Sequence, residues 1–295
     1  MTTTRTTPPA APAPEVVRVR VPGRGLRQDL RAVKVVWQRE LIRFGHDRIR
    51  IVSALVQPIL FLFVLGGGLQ SLTAGATRGT SLSTVIFPGV LATTVMFTAV
   101  FSAVTIVWDR EFGFLREMLV APVSRGALVL GKSLGGATVA SIQGVLVLCL
   151  AGLVHVPYSP ALLLTLLGEL LLLGFTLTAF GMAIAARIRK VQSVMGVMQM
   201  LLMPLMFLSG ALFPLTNLPG WLHVLTHLNP LTYAVDPMRH AVFAHLQVSE
   251  ATRQAVAAGM TWWGWHVPTL VELGIVAVAG LLMLVVATVR FQRAE

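Results

Sequence analysis

Residues 161–186 read ALLLTLLGELLLLGFTLTAFGMAIAA, and this stretch decides the fold class of the 295-residue chain. It is longer than the about 20 apolar residues that cross a bilayer as a helix, and Glu169 is its one charged residue. Five other stretches are similarly long and apolar, so the sequence predicts six spans: 51–69, 85–108, 133–156, 161–186, 191–213 and 269–289. The predicted fold class is an all-α polytopic membrane protein with six transmembrane helices.

The composition of the whole chain agrees with this class. Hydrophobic residues make up 55% of the chain and charged residues 12%, and the mean hydropathy is +0.78. An ordinary soluble domain has about 25% charged residues. These values exclude soluble, disordered, collagenous and disulfide-stapled classes, and the single Cys149 allows no internal disulfide.

The basic residues predict an orientation. Lys and Arg outnumber Asp and Glu by 11, but 20 of the 23 basic residues fall on one side of the predicted spans. Cytoplasmic loops carry such an excess, so we expect a multi-pass protein of the cell membrane with both termini in the cytoplasm. The same distribution explains the net charge without a nucleic-acid partner.

Two segments lie outside the simple spans. Residues 1–27 predict a disordered cytoplasmic tail, and 28–295 a single transmembrane domain. Leu30–Phe44 has apolar residues at helical spacing and predicts an amphipathic helix in the membrane interface, with a soluble helix packed on another domain as the alternative. Pro214–His266 is too polar for a span and too apolar for a free loop, which indicates short helices at the outer face.

Motifs for catalysis are weak in this sequence. The stretch GALVLGKS, residues 126–133, matches a phosphate-binding loop, but its positions are bulky and a membrane span follows. His223 and His227 have a zinc-ligand spacing without a catalytic Glu or a third ligand. We therefore expect no catalytic residue, no metal site and no cofactor bound by this chain.

The loop 109–132 between the second and third predicted spans is the most informative. Charged residues of alternating sign surround apolar ones before Pro122, which favours a short amphipathic helix that docks on a cytoplasmic partner. A solvated loop with routine arginines is the alternative. Elsewhere, Gly131 and Gly135 are spaced for close helix packing, and Asp236 and Arg239 are spaced to pair with each other.

Two motifs resemble those of a known family. The run DREFGFLREMLVAPVSR, residues 109–125, resembles the coupling-helix region of type 2 ABC exporter permeases of the daunorubicin-resistance branch. The stretch SGALFPLTNLPGW, residues 209–221, and its continuation LNPLTYAVDPMR, residues 228–239, are similar to the same family.

The resemblance implies roles for particular residues. The ATPase-coupling helix would be Glu111, Phe112, Gly113, Phe114, Leu115, Arg116, Glu117, Met118 and Leu119. Leu30–Phe44 would be the interfacial connecting helix, and Pro214–His245 an extracellular re-entrant segment. The family implies two permease copies, identical or related, with separate ATPase subunits that hold ATP and Mg.

The expected function is therefore export of amphiphilic or hydrophobic compounds, including drugs and antibiotics. Candidate pathway residues are one membrane carboxylate, which would favour cationic cargo, and soft apolar side chains of the fifth span: Glu169, Met195, Met198, Met203, Met206 and Phe207. Export of a lipid-linked polysaccharide or lipid is the first alternative. An ATP-independent membrane enzyme or a structural anchor is the second.

Overall fold

The computed structural model describes residues 25–69, 81–113, 123–212, 219–248, 252–253, 259–262 and 265–293. The described part of the chain is mainly helical, as the sequence predicts. Its helices are α1 Leu26–His46, α2 Arg48–Gly68, α3 Leu82–Ala103, α4 Thr105–Glu111, α5 Arg125–Leu148, α6 Pro160–Ala185, α7 Val191–Phe207, α8 Gly220–Leu228, α9 Thr232–Ala244 and α10 Thr269–Arg293. A π-helical stretch, Leu60–Leu65, lies inside α2, and a 3-10 turn, Ala151–Val154, follows α5.

Helix α3 forms the centre of the bundle. It is buried along almost its whole length, and it packs against α5 and α6, which also pack against each other. Helix α10 lies along α6, and α1 lies along α5. Helices α2 and α10 are peripheral, since only 17% and 22% of their most apolar stretches are buried within the chain.

Four stretches of the described residues are helices long and apolar enough to cross a membrane: Arg48–Gly68, Leu82–Glu111, Pro160–Ala185 and Thr269–Arg293. They correspond to four of the six predicted spans. The other two are α5, which is long but less apolar, and α7, which has 17 residues. The count of six is therefore not confirmed.

The bounds of those two helices differ from the prediction. Helix α5 begins at Arg125, not Ser133, because the Ser124 hydroxyl accepts a hydrogen bond from the Ala127 amide and caps the helix. The part of α5 from Arg125 to Lys132 therefore lies in what the sequence predicts as the loop 109–132. Helix α7 ends at Phe207, not residue 213, and Gly210 in the following turn has a φ of +71°.

Between α7 and α10, the described residues include the helices α8 and α9 and one strand pair. Helix α9 is buried against α3, α6 and α10, while α8 is largely exposed. Strand Thr261–Trp262 pairs antiparallel with Trp265–His266. The predicted short helices are present, whereas a re-entrant path into a membrane stays a prediction.

The expected pair of Asp236 and Arg239 does not form. Arg239 donates to the carbonyl of Gly210, in the turn after α7. The Asp236 carboxylate accepts from the amide of Met260, 2.8 Å away, and lies 3.7 Å from His240. Both side chains are nearly buried, and tertiary contacts to the backbone replace the local pair that their spacing predicts.

Helix α1 covers the predicted amphipathic segment, and its inward face overlaps the predicted apolar stripe only in part. Its buried residues are Val36, Glu40 and Phe44, whereas Leu30 of the predicted apolar stripe is 67% exposed. The inward face includes the Glu40 carboxylate because it pairs with the ammonium group of Lys132 on α5. Of the predicted disordered tail 1–27, residues 1–24 lie outside the described residues.

Candidate functional site

The main polar feature of the helical bundle is a buried cluster of charges, which we call the charge cluster: Glu40, Asp109 and Lys132, with Arg39 at its rim. Lys132 Nζ lies 2.9 Å from Glu40 Oε1 and 2.7 Å from Asp109 Oδ2. All three side chains are 5–6% exposed. The Arg39 guanidinium is 39% exposed and lies 2.7 Å from Asp109 Oδ2. Each carboxylate thus has a cation in hydrogen-bonding range.

The charge cluster joins three helices that are far apart in the sequence. Glu40 comes from α1, Asp109 from α4 near the start of the predicted coupling segment, and Lys132 from α5. Lys132 also donates to the hydroxyl of Thr105, 3.2 Å away. Buried ion pairs contribute little net stability, but loss of one partner leaves an uncompensated charge. The arrangement therefore constrains where α1, α4 and α5 lie relative to one another.

Two glycines let α1 approach α5 closely at this point. A Cβ at Gly131 would lie 2.9 Å from the Val36 Cβ, and one at Gly135 would lie 2.8 Å from the Glu40 Cβ. The spacing of these glycines predicts such close packing, and the structure confirms it. Residues 126–133, which match a phosphate-binding loop, lie inside α5. They form a helix and not a loop, and Lys132 pairs with the carboxylates of the charge cluster.

Only the first three residues of the predicted coupling helix are described. Glu111 ends α4, and its carboxylate accepts from the amide of Val191, 3.0 Å away at the start of α7. Phe112 is 63% exposed, with its ring 5.6 Å from that of Trp108. Gly113 has a φ of +84°, a conformation that ends the helix. Residues 114–119 lie outside the described residues.

A cavity of about 570 Å³ lies beside the charge cluster. We call it the α2–α3 cavity because those helices form two of its walls. Its lining combines apolar and aromatic side chains with a few polar and charged ones: Arg43, Phe44, Asp47, Arg50, Ser53, Ala54, Gln57, Pro58, Thr94, Phe97, Thr98, Phe101, Val104, Thr105, Trp108, Gln143 and Met195. Such a mixture is typical of sites for small amphiphilic ligands.

The amide of Gln143 gives the α2–α3 cavity a polar group. The residue is fully buried on α5, and its amide nitrogen is 3.5 Å from the carbonyl of Ile51. Its carbonyl oxygen has no hydrogen-bond partner among the described residues. A buried acceptor without a partner costs about 1–3 kcal/mol, so this oxygen is suited to a donor group of a ligand or a water molecule.

The predicted pathway residues do not converge on one place. Met195 lines the α2–α3 cavity. Met198 and Met206 are buried in the core, whereas Met203 and Phe207 lie on the exposed face of α7. The list follows one helix around its circumference, and a helix presents only one face to any given cavity.

Glu169 lies in a different environment from the α2–α3 cavity. It is 5% exposed on α6, and one carboxylate oxygen has no partner among the described residues. The nearest other ionisable groups are Glu272 of α10 and, beyond it, Asp236 of α9. Its predicted role in the cargo pathway stays a prediction.

The sequence analysis did not identify Glu40, Arg43 or Gln143 as site residues, and it treated Lys132 as a loop residue and as part of a false motif. Glu40 and Lys132 are 92 residues apart, and no periodicity connects them. The one available signal was the presence of a charged and an amide side chain next to or within long apolar stretches, where polar groups are costly.

Residues 31–243 match the family described as ABC-2 type transporter. A transport permease ycf38 from Cyanophora paradoxa is 30% identical over 209 residues, which cover 70% of this chain and 72% of that protein. Nodulation protein J from Rhizobium leguminosarum bv. viciae is 27% identical over 207 residues, 69% and 79% of the two chains. Nodulation protein J from Rhizobium meliloti (strain 1021) is 28% identical, over 69% and 78%. The family match contains the charge cluster and the whole lining of the α2–α3 cavity.

Proposed function

Because this chain belongs to the ABC-2 type transporter family, whose members are transport permeases that work with an ABC ATPase subunit, we propose that it is the permease of an ATP-driven exporter. Its cargo is amphiphilic or hydrophobic compounds, which it moves out of the cell. ATP and Mg bind the partner ATPase, and a second permease copy completes the pathway. Both termini face the cytoplasm, on the basis of the distribution of Lys and Arg.

The observation that carries the proposal is that two residues lining the α2–α3 cavity contact the charge cluster directly. Thr105 lines the cavity and accepts a hydrogen bond from Lys132. Arg43 lines the cavity and lies 3.9 Å from Asp109. A shift of α4, which leads into the predicted coupling segment, would therefore change the cavity through direct contacts.

The ATPase would reach α4 at its exposed end. A shallow cavity of about 370 Å³ there is lined by residues of α1 and α4 and by the aromatic side chain after α4: Arg39, Ile42, Arg43, Trp108, Asp109 and Phe112. An exposed ring with charged neighbours is typical of a protein contact surface. Movement of a partner at this surface would act directly on Asp109 of the charge cluster.

The lining of the α2–α3 cavity supports a cargo with an apolar body and a polar group. Phe97 and Phe101 supply stacked rings with centroids 6.5 Å apart. Arg43 and Arg50 line the cavity with one carboxylate, that of Asp47, and Asp109, outside the lining, lies 3.9 Å from Arg43. This balance favours a neutral or anionic polar group, in contrast to the cationic cargo that Glu169 had suggested.

A lipid-linked polysaccharide is the second candidate cargo. The two arginines of the cavity favour it as well, because an anionic lipid headgroup would find cations at the side of the bundle. Such a glycan and a small amphiphile require different amounts of space between α2 and α3. Cargo panels therefore separate the two candidates.

The test is ATP-dependent transport into inverted vesicles that contain the permease with its ATPase. Ala54→Trp fills the α2–α3 cavity from α2 and leaves the charge cluster intact. Val56→Trp is the matched control, because Val56 is on the same helix, 51% exposed, and outside the lining. We expect Ala54→Trp to lower transport of amphiphiles about tenfold while ATP hydrolysis persists, and Val56→Trp to transport normally.

Three outcomes would contradict the proposal. Normal transport by Ala54→Trp would remove the cavity from the pathway. Transport of undecaprenyl-linked glycans without any amphiphile would replace the proposed cargo by the second candidate. Function without ATP would favour the ATP-independent membrane enzyme or structural anchor.

A further inference from the structure

Five arginines surround a pocket of about 420 Å³ at the ends of α4, α6 and α10: Arg110, Arg187, Arg189, Arg290 and Arg293. We call it the arginine pocket. It is separate from the charge cluster and the α2–α3 cavity and shares no lining residue with them. Among the described residues no acidic side chain lines it.

Two of the arginines are fixed in place by the backbone at and just beyond the end of α6. Arg110 donates to the carbonyls of Ala186 and Ile188, 3.1 and 3.2 Å away. Arg290 donates to the carbonyl of Ala183, 3.0 Å away. These carbonyls are the unpaired acceptors of a helix end, which attract cations. The walls of the arginine pocket are therefore preformed.

The other three arginines are exposed. Within the described part of the chain, Arg187, Arg189 and Arg293 form no ion pair. Guanidinium groups that face one pocket repel each other in the absence of an anion. Phosphate is the matching ligand, because the planar guanidinium binds its oxygens in a bidentate manner.

The position of the arginine pocket, at the ends of α6 and α10, indicates which phosphate-containing compound it would bind. Arg187 and Arg189 follow directly after α6, and Arg290 and Arg293 lie in the last turn of α10. Both helices are among those long and apolar enough to cross a membrane. Basic pockets between such helix ends, on the side rich in Lys and Arg, lie at the level of anionic lipid headgroups.

We propose that the arginine pocket binds the phosphate of an anionic membrane lipid and that this lipid bridges α4, the α6–α7 link and α10. The bound headgroup neutralises the arginines and holds the end of α4, where the predicted coupling segment begins, against the bundle. Neither step depends on which cargo the protein carries.

The test measures lipid binding to the purified full-length chain by native mass spectrometry, with phosphatidylglycerol and phosphatidylcholine as probes. The triple variant Arg187→Gln, Arg189→Gln, Arg293→Gln removes the three exposed cations. The matched control removes three exposed cations from α1: Arg27→Gln, Arg31→Gln, Lys34→Gln. We expect phosphatidylglycerol binding to weaken about tenfold in the pocket variant and less than about twofold in the control, with phosphatidylcholine unaffected in both.

Two further arms separate a built site from general attraction and from other ligands. Replacing the same three arginines by lysine keeps the charge and removes bidentate binding, so we expect a loss of about threefold. Equal losses in the pocket and control variants, or no loss with lysine, would overturn the proposal. So would equally tight binding of inorganic phosphate, or loss of ATPase binding alone from the pocket variant, because the pocket would then hold a soluble anion or a protein.

Discussion

A single ammonium group holds two buried carboxylates of the charge cluster. Lys132 reaches Glu40 and Asp109 at 2.9 and 2.7 Å, inside a part of the bundle where water does not compete for these groups. Of these two carboxylates, Asp109 lies 2.7 Å from Arg39, within hydrogen-bonding distance, and Glu40 lies 3.9 Å from it. Glu40 therefore depends on Lys132 more than Asp109 does.

We expect Lys132→Met to destabilise the protein by about 3–5 kcal/mol, because it leaves a buried carboxylate without a counter-charge. Lys34→Met is the matched control, since Lys34 is exposed on α1. Thermal unfolding of the purified variants in detergent measures the difference. Equal unfolding midpoints for the two variants would show that the charge cluster contributes nothing to stability.

At Gln143 the expected effect is on transport, not on stability. Gln143→Leu removes the unpaired carbonyl oxygen from the α2–α3 cavity, and one hydrogen bond of about 1 kcal/mol corresponds to about fivefold in affinity. We expect the half-saturating concentration of a hydrogen-bonding cargo to rise by that factor in the vesicle assay.

Gln199→Leu is the control for this substitution, because Gln199 is exposed on α7 and outside the lining of the cavity. A cargo of similar size without a hydrogen-bond donor provides a second control and should be transported equally by Gln143→Leu and the unmodified protein. An equal rise for both cargoes would mean that the substitution distorts the cavity.

Among the elements, the contact of α1 with α5 is a close helix approach next to the proposed site. It depends on the absence of side chains at Gly131 and Gly135, on the hydrogen bond from the Trp37 indole to Thr138 at 3.0 Å, and on Asp29, which accepts from the amide of Ser124 at 2.9 Å. These contacts fasten α1 to both sides of the charge cluster.

We expect Gly131→Ala to destabilise the protein by about 1–3 kcal/mol, because the new methyl group would overlap Val36. Gly126→Ala is the control on the same helix, since its Cβ would meet only Thr288, at an ordinary 3.6 Å. That variant should be neutral or slightly more stable, because alanine favours a helix. Unfolding midpoints in the reverse order would contradict the close-packing argument.

The helices show what the sequence could predict at this scale. Long apolar runs and the spacing of Gly131 and Gly135 are local signals, so α3, α6, α10 and a close helix approach at these glycines could be anticipated, but not that α1 is the partner. The start of α5 could not, because a lysine near a predicted span looks like a boundary until its partner carboxylates are known. The face of α1 was misjudged at Glu40 for the same reason.

For the whole molecule, the orientation in the membrane is open to a direct test. In a Cys149→Ala background, cysteines at Pro157, between α5 and α6, and at Lys190, between α6 and α7, occupy exposed loop positions. We expect an impermeant maleimide to label Pro157→Cys in intact cells and Lys190→Cys only after permeabilisation, because Lys and Arg accumulate on the cytoplasmic side. The opposite pattern would invert the orientation.

The family was recognisable from two motifs, whereas the α2–α3 cavity was not. The residues that line it come from α1 to α5 and α7, and their meeting is a result of tertiary packing that no local pattern encodes. Met195 belongs to a methionine-rich stretch that the sequence analysis identified, whereas no local sequence pattern marks Gln143 or Arg43. The composition indicates that the helices lining the cavity are apolar, but it does not indicate which of these helices face each other.

The charge cluster also has a consequence for how the chain is made. Helix α5 is less apolar than its neighbours, and Lys132, within its first third, makes its insertion into the bilayer less favourable, because a charged side chain is costly there. Glu40 and Asp109 precede Lys132 in the chain, so both leave the ribosome before it does. Both carboxylates are therefore synthesised before Lys132, so they are available to pair with it when α5 leaves the translocon.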